Sequence, residues 1–320
     1  MLAAKFDFHI ITRAMTKITE DENFIKKLNQ ALSSSPAGML EFLSALNIFL
    51  SITASLGNVL ILLALHKVSC IHPPTKLFFR CLALADLGVG LIAQPLHATK
   101  IMSPLIKMNV YYVFYALRVR RILSWCLGGV SILTSTAISV DRLLALLLGL
   151  TYRQVVTLRR VRVVTFCIWL ITASHGTIGT WRRDIMFTFA CAMLIFSLVT
   201  SIFCYTMIHL KLRHQQAQVQ NHVLQGQVNG GGTPLNIAKY KKSVSSIFSV
   251  QLTLIACYVP WGIVVVLYAI GIEYDMALIV TETLVYLNST LNPFLYCWKI
   301  REVKEAVKDT IRQLDCFLNN

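Results

Sequence analysis

The chain has 320 residues, 56% of them hydrophobic and only 14% charged, with a formal net charge of +15 and a mean hydropathy of +0.63. A soluble globular domain carries roughly 25% charged residues, so this balance points away from one and toward a chain that crosses a membrane several times. Most of the nine cysteines fall inside apolar runs and read as small buried hydrophobes rather than as a disulfide framework.

In chain order, the N-terminal stretch MLAAKFDFHIITRAMTKITEDENF lacks a signal peptide's apolar core and small-residue cleavage site. Residues 1–38 are therefore expected to form an extracellular tail, with the first span directing insertion. A bilayer-crossing helix needs about 20 mostly apolar residues. Qualifying segments lie at 39–66, 77–100, 111–147, 160–180, 185–210, 243–271 and 275–298, which predicts an all-α, seven-transmembrane helix bundle over 39–298. The stretch RHQQAQVQNHVLQGQVNGGGTP, between spans five and six, reads as a disordered linker. In the cytoplasmic remainder, 299–320, the residues Ile300, Val303, Val307, Ile311 and Leu314 form one stripe, as in a short amphipathic helix lying on the membrane surface. Membrane lipids, not nucleic acid, are the expected partners of this basic chain. Lysine and arginine counts in the short loops favour an extracellular N-terminus and a cytoplasmic C-terminus in the plasma membrane.

Polar groups inside spans are costly and mark candidate functional sites. Asp86 lies midway along span two, Asn58 at similar depth in span one, Ser131 in span three, and Asn288 and Asn292 one helical turn apart in span seven. A lone buried Asn serves equally well as interhelical glue. The set of a carboxylate, amides and a hydroxyl suits a small hard cation such as Na+. Asp141-Arg142 ends span three, where Arg142 either snorkels to headgroups or faces a packed inner cavity. Pro260 in CYVP and Pro293 in NSTLNPFLY are expected to kink spans six and seven. The triplet Asn288-Ser289-Thr290 spells a glycosylation acceptor, but inside a span it is out of the modifying enzyme's reach.

Together these residues resemble the rhodopsin-like (class A) G-protein-coupled receptors over the whole seven-helix core. Asn58 fits the family's Gly-Asn signature, LALADL with Asp86 its span-two motif, and ISVDRLLAL its Asp-Arg-Tyr region. Trp169 fits the span-four Trp, Tyr205 the inner Tyr of span five, CYVP the Cys-Trp-x-Pro element and NPFLY the Asn-Pro-x-x-Tyr element. The resemblance implies a sodium pocket of Asp86, Ser131, Asn288 and Asn292, with Na+ as an allosteric ion and no obligatory cofactor. It implies that Asp141 holds Arg142 at rest. On activation Arg142 would swing toward Tyr205 while Tyr296 moves inward, and span six would pivot outward at Pro260. The partner would be a heterotrimeric G protein. No covalent chemistry is implied, and no catalytic motif appears.

The sequence departs from the family at several places. Leu117 stands where the bridging cysteine of span three is usual, and GTIGTWRRDIM has none, so that disulfide cannot form. Ser197 replaces the span-five proline, Tyr258 the span-six Trp, Leu254 the Phe below it, and Leu143 the Tyr of Asp-Arg-Tyr. The short second loop and missing bridge are similar to the melanocortin, lysophospholipid, cannabinoid and adenosine receptor group. Ser124 occupies the position of the amine receptors' Asp, and Val265 that of the adenosine receptors' Asn, so neither ligand is expected; a small-molecule, peptide or lipid ligand remains. Lys100, Lys107, Arg118, Arg120, Arg121, Arg182 and Arg183 crowd the outer ends. They either snorkel to headgroups or bind an anionic or lipid-phosphate ligand, with Arg120 matching a phosphate-binding Arg of lysophospholipid receptors. Glu282 with His97 either makes the pocket mixed or simply pairs with an arginine. Trp125, Tyr258, Trp261 and Tyr286 are candidate pocket aromatics. The inner end of span six, NIAKYKKSVSS, has no acid to hold Arg142, leaving Asp141 as its only expected restraint and predicting basal signalling. The alternatives are a sodium-coupled secondary transporter, against which the lack of an internal repeat weighs, and a receptor-like protein with degraded coupling.

Overall fold

The structure is a computed structural model describing residues 30, 35–68, 71–106, 108, 110–179, 182–224, 233–272, 274–299 and 301–318, with backbone only at 110, 183, 184, 216, 218–224, 233–248, 269, 299, 301, 302 and 314–318. Most of the expected tail over 1–38, Lys107 and the side chains of Arg183, Cys316 and the basic stretch 236–246 lie outside this description.

The chain folds as α1 Ala37–Lys67, α2 Pro73–Met102, α3 Val110–Leu148, α4 Leu158–Ile178, α5 Arg183–Leu224, α6 Thr233–Ala269, α7 Asp275–Lys299 and α8 Arg301–Leu318, with no strand among the described residues. Six of these, α1 to α6, contain stretches long and apolar enough to cross a membrane. The seventh, α7, is 25 residues long, or about 37 Å at 1.5 Å per residue; that exceeds the roughly 30 Å hydrocarbon core. Its polarity is inward: Thr283, Asn288, Ser289, Thr290 and Asn292 are all buried.

That inversion governs the bundle. With no water in the hydrocarbon core, polar groups must be satisfied inside while apolar side chains face lipid. On α1, Phe42, Phe49 and Leu56 recur every seven residues and are 65, 64 and 63% exposed. The opposite face buries Ser44, Asn47, Ser51 and Asn58. There Asn47 Nδ2 donates to Thr283 Oγ1 of α7 at 3.0 Å, Ser51 Oγ to the Gly90 carbonyl of α2 at 2.6 Å, and Asn58 Nδ2 to the Ser289 carbonyl of α7 at 3.1 Å.

Helix α2 starts on Pro73-Pro74, where a missing N–H costs nothing. It contains one π turn, Val89–Ala93. The residue inserted there rotates the rest of the helix by about 100° and presents His97 and Lys100, 0 and 4% exposed, to the interior. Gly90 is required at this turn: a Cβ would come within 2.7 Å of Ser55 Oγ and 3.0 Å of Ser55 N on α1.

The linker expected over 213–234 is corrected at both ends: α5 continues to Leu224 and α6 begins at Thr233. Residues 213–224 contain no Gly or Pro, and a helix already nucleated in the membrane propagates through such a sequence at little cost. Helices α6 and α7 likewise run on past Pro260 and Pro293. After α7, α8 turns along the bundle end, and Lys67 at the end of α1 donates to Thr310 Oγ1 at 3.1 Å and Gln313 Oε1 at 2.5 Å.

Candidate functional site

Three polar layers follow one another from the Glu282 end of the bundle to the Arg142 end. In the first, a cavity of about 160 Å³ lies between α2, α3, α5, α6 and α7. One wall is ionic. Glu282 of α7 accepts from Lys100 Nζ of α2 at 2.8 Å and from Arg120 Nη1 of α3 at 3.3 Å. Arg120 Nη1 also reaches Tyr286 Oη at 3.3 Å, and that hydroxyl lies 2.8 Å from Ser124 Oγ. His97 sits behind the cavity, its Nδ1 3.3 Å from Glu282 Oε2 and its ring edge-on to Tyr286 at 5.1 Å.

Headgroup snorkelling is therefore corrected for two of the basic residues: Lys100 is 4% and Arg120 8% exposed. An isolated charge at this depth is expensive, and a carboxylate shared by two cations offsets the cost. Arg121 also lines the cavity, whereas Arg182 is exposed. The opposite wall is aromatic. Trp125 packs edge-on against Trp261 at 5.3 Å and Phe187 at 6.0 Å, and Tyr258 and Val265 complete that side.

The cavity reaches down to Ser131 and Ser289, beside the second layer. Asp86 is fully buried and its Oδ2 accepts from Asn292 Nδ2 at 2.7 Å. Ser289, not singled out from the sequence as a site residue, is buried on α7 and lines the cavity. Asp86 Oδ1, Asn288 Oδ1 and Asn292 Oδ1 are buried without a hydrogen-bond partner among the described residues. The Asp86–Asn292 contact brings two of the expected sodium ligands together, Ser131 faces the cavity, and Asn288 is placed by its burial alone. Orphaned carboxylate and amide oxygens are the donor type a hard cation takes, so these residues fit Na+. The glycosylation triplet is buried throughout, and its Thr290 donates to the Leu50 carbonyl at 3.2 Å.

At the Arg142 end, Arg142 donates to Asp141 through Nε, at 3.1 Å, and through Nη2. The expectation that Asp141 alone restrains it is corrected. Arg142 Nη2 also donates to Thr75 Oγ1 at 2.6 Å, while Asp141 accepts from Thr75 at 2.9 Å and from Tyr152 Oη at 2.7 Å. Thr75 lies at the start of α2 and Tyr152 in the turn after α3, so no local motif announces either. His72 packs against Tyr152 with the rings tilted, 5.1 Å between centroids. Burial lowers its pKa below the ordinary imidazole value, ahead of the opposing pull of Asp141; neutral, it does not compete with Arg142 for that carboxylate. Tyr205 Oη lies 3.3 Å from Ser139 Oγ, one turn from Arg142. Tyr296 packs edge-on against Phe79 at 5.2 Å, its buried hydroxyl without a partner among the described residues. Pro260 and Pro293 lie inside α6 and α7, next to Trp261 of the cavity wall and Asn292 of the Asp86 layer respectively.

Two departures from the resemblance gain a structural content. Ser197, in the usual proline position, is fully buried and its Oγ lies 2.6 Å from Thr136 Oγ1, joining α5 to α3. The seven described cysteines with assigned burial, from Cys81 to Cys297, are all free thiols.

Comparison with known proteins agrees with this geometry. The chain is 24% identical to the adenosine receptor A3 of Ovis aries over 286 residues, covering 81% of this chain and 86% of that one. It is 25% identical to adenosine receptor A3 of Bos taurus over 291 residues, 82 and 87% of the two chains, and 25% identical to that of Canis lupus familiaris over 279 residues, 81 and 87%. The profile described as 7 transmembrane receptor (rhodopsin family) matches residues 57–179 and 173–296, three-quarters of the chain, and the protein belongs to that family of membrane receptors.

Proposed function

We propose that the protein is a plasma-membrane receptor, N-terminus outside, in which a ligand entering the cavity beside Glu282 shifts the bundle toward a state that activates a heterotrimeric G protein at the Arg142 end. The observation that carries this reading is the closed cluster of Arg142, Asp141, Thr75 and Tyr152. Arg142, held by Asp141 beside it and by Thr75 of α2, with Tyr152 bracing the carboxylate, is a two-state element: its release exposes a cation and opens space between α3 and α6. A ligand acts on such an equilibrium only through its different affinity for the two states. The pivot of α6 at Pro260, the inward movement of Tyr296 and the approach of Arg142 to Tyr205 form the transmitting steps. Leu150, 98% exposed in the turn after α3, supplies an apolar contact for the G protein.

Asp86, Ser131, Asn288 and Asn292 would hold Na+. When bound, the ion supplies the positive charge that the carboxylate otherwise lacks. The chain's own part is to keep Asp86 dry and to hold the amide oxygens of α7 against α2, favouring the resting arrangement. The relatives are adenosine receptors by name. Val265, buried on the cavity wall where those receptors carry an Asn, offers no hydrogen bond to a purine, and a different ligand is proposed for this chain.

The test is ligand-independent G-protein dissociation in cells expressing the receptor, with surface expression measured in parallel. The receptor should dissociate G protein above vector, and Arg142→Ala should abolish that activity at equal surface expression. A wild-type signal equal to both vector and Arg142→Ala, with agonists of the cavity also silent, would establish a receptor-like protein without coupling.

A further inference from the structure

The ionic wall of the cavity has an unused edge. Arg120 spends Nη1 on Glu282 and Tyr286, while among the described residues its Nε is buried with no hydrogen-bond partner and its Nη2 makes no hydrogen bond. Nε–H and Nη2–H form one side of the planar guanidinium, the side that takes both oxygens of a carboxylate at once. Lys100 uses one of its three donors, on Glu282.

Charge points the same way. Lys100 and Arg120 contribute two positive charges and Glu282 one negative, an imidazole such as His97 being uncharged near pH 7 at its ordinary value. The buried cluster therefore carries one excess positive charge in a dry, low-dielectric site, where uncompensated charge is costly; Arg121, which also lines the cavity, is only half-buried and its charge is the more screened by solvent. One added negative charge balances it; two would overshoot, and none would leave both the charge and the guanidinium edge unsatisfied. Across the cavity Trp125, Tyr258 and Trp261 form an apolar wall, a surface for a hydrocarbon or aromatic body.

We propose that the cavity binds a monocarboxylate with an apolar body: the carboxylate takes the Nε/Nη2 edge of Arg120 beside Lys100, and the body lies against Trp125, Tyr258 and Trp261. This rests on the cavity being the ligand site and goes further by fixing the chemistry of the ligand. Glu282 sets the charge it accepts. With Glu282 in place the wall matches a monoanion; with Glu282 neutralised it matches a dianion.

The experiment titrates the full-length receptor in lipid nanodiscs with a graded series of straight-chain alkanoates, the matched primary amides and the matched alkyl phosphates, reading tryptophan fluorescence and melting temperature. Amides control for simple partition of the chain into lipid. On the unsubstituted receptor the best alkanoate should bind about tenfold or more tighter than its amide, the worth of a hydrogen-bonded charge pair, and tighter than its phosphate. Arg120→Lys, which keeps the charge and loses the fork, should lower alkanoate affinity by about tenfold. Glu282→Gln should reverse the preference from alkanoate to phosphate. Equal binding of alkanoate and amide, a preference for phosphate on the unsubstituted receptor, or no saturable response to any alkanoate overturns the proposal. These comparisons decide the matter even if neither variant folds. G-protein dissociation through Arg142 is scored separately, so a receptor that couples but ignores alkanoates loses the ligand class alone.

Discussion

Replacing Thr75 with Val removes one hydroxyl and leaves the side-chain shape nearly unchanged. That hydroxyl donates to Asp141 Oδ2 at 2.9 Å and accepts from Arg142 Nη2 at 2.6 Å, and Thr75 is 2% exposed, so no water replaces it. A hydrogen bond to a charged group is worth about 1.5–3 kcal/mol net. The two bonds share one hydroxyl and do not add fully, so we take the lower figure as the loss to the resting state. Because about 1.4 kcal/mol is tenfold in an equilibrium, a receptor about 1% active at rest would become about a tenth active. In the proposed active state, with Arg142 released toward Tyr205, nothing is lost at Thr75. Basal G-protein dissociation normalised to surface expression should therefore rise by about tenfold, and Tyr152→Phe should raise it less, since its hydroxyl reaches Asp141 at 2.7 Å and Thr75 at a long 3.4 Å but not Arg142. Basal activity unchanged or lowered in Thr75→Val, with normal surface expression, would refute the assignment of this cluster as the resting restraint.

Three further outcomes follow from the same geometry. Sodium chloride substituted for choline chloride should lower basal activity of the unsubstituted receptor in membranes, and Asp86→Asn should flatten that response; a sodium effect undiminished in the variant would remove Asp86 as the ion's ligand. Leu150→Asp should impair G-protein dissociation at saturating agonist while surface expression and agonist affinity measured without G protein stay constant, because its side chain touches nothing within the bundle. Gly90→Ala should lower the melting temperature of the purified receptor, since the new methyl meets Ser55 at 2.7 and 3.0 Å and overpacking of this kind costs about 1–3 kcal/mol.

The number of helices, their order and the buried polar residues were legible from the sequence because the bilayer imposes a length and a polarity rule on every crossing segment. Asp86 and Asn292 could be paired on paper since each is an anomaly in an apolar run, and their 2.7 Å contact needs only that α2 and α7 be neighbours. Thr75, whose hydroxyl reaches Asp141 and Arg142, could not be singled out in the same way. A Thr or Ser in a span satisfies itself on its own helix as readily as on another, so its role depends on a contact that periodicity does not encode. The π turn at Val89–Ala93 is invisible for a related reason: nothing in VGLIA marks one extra residue, yet it decides whether Lys100 faces lipid or Glu282. Hydropathy also misplaced the ends of α5 and α6, because it records where a helix is in lipid rather than where it is helical.

The missing disulfide and the buried ionic wall belong to one argument. The N-terminal end of α3 has no cysteine with which to be tied to the following loops, and a native bridge of that kind is worth about 2–5 kcal/mol. Here Arg120 and Ser124 tie α3 to α7 through Glu282 and Tyr286, and Lys100 ties α2 to the same carboxylate. Removing one partner of such a buried charge pair costs about 3–5 kcal/mol, because it strands the other charge, so the tie resists loss of either partner. It differs in what can act on it. A covalent bridge is indifferent to ligand charge, whereas a carboxylate shared by two cations is rearranged by any group that competes for Arg120 or Lys100. In this chain the restraint on α3 and the wall of the cavity are the same side chains, so a ligand that takes up the free edge of Arg120 acts directly on the register of α3 against α7, and hence on Arg142 at the other end of the same helix.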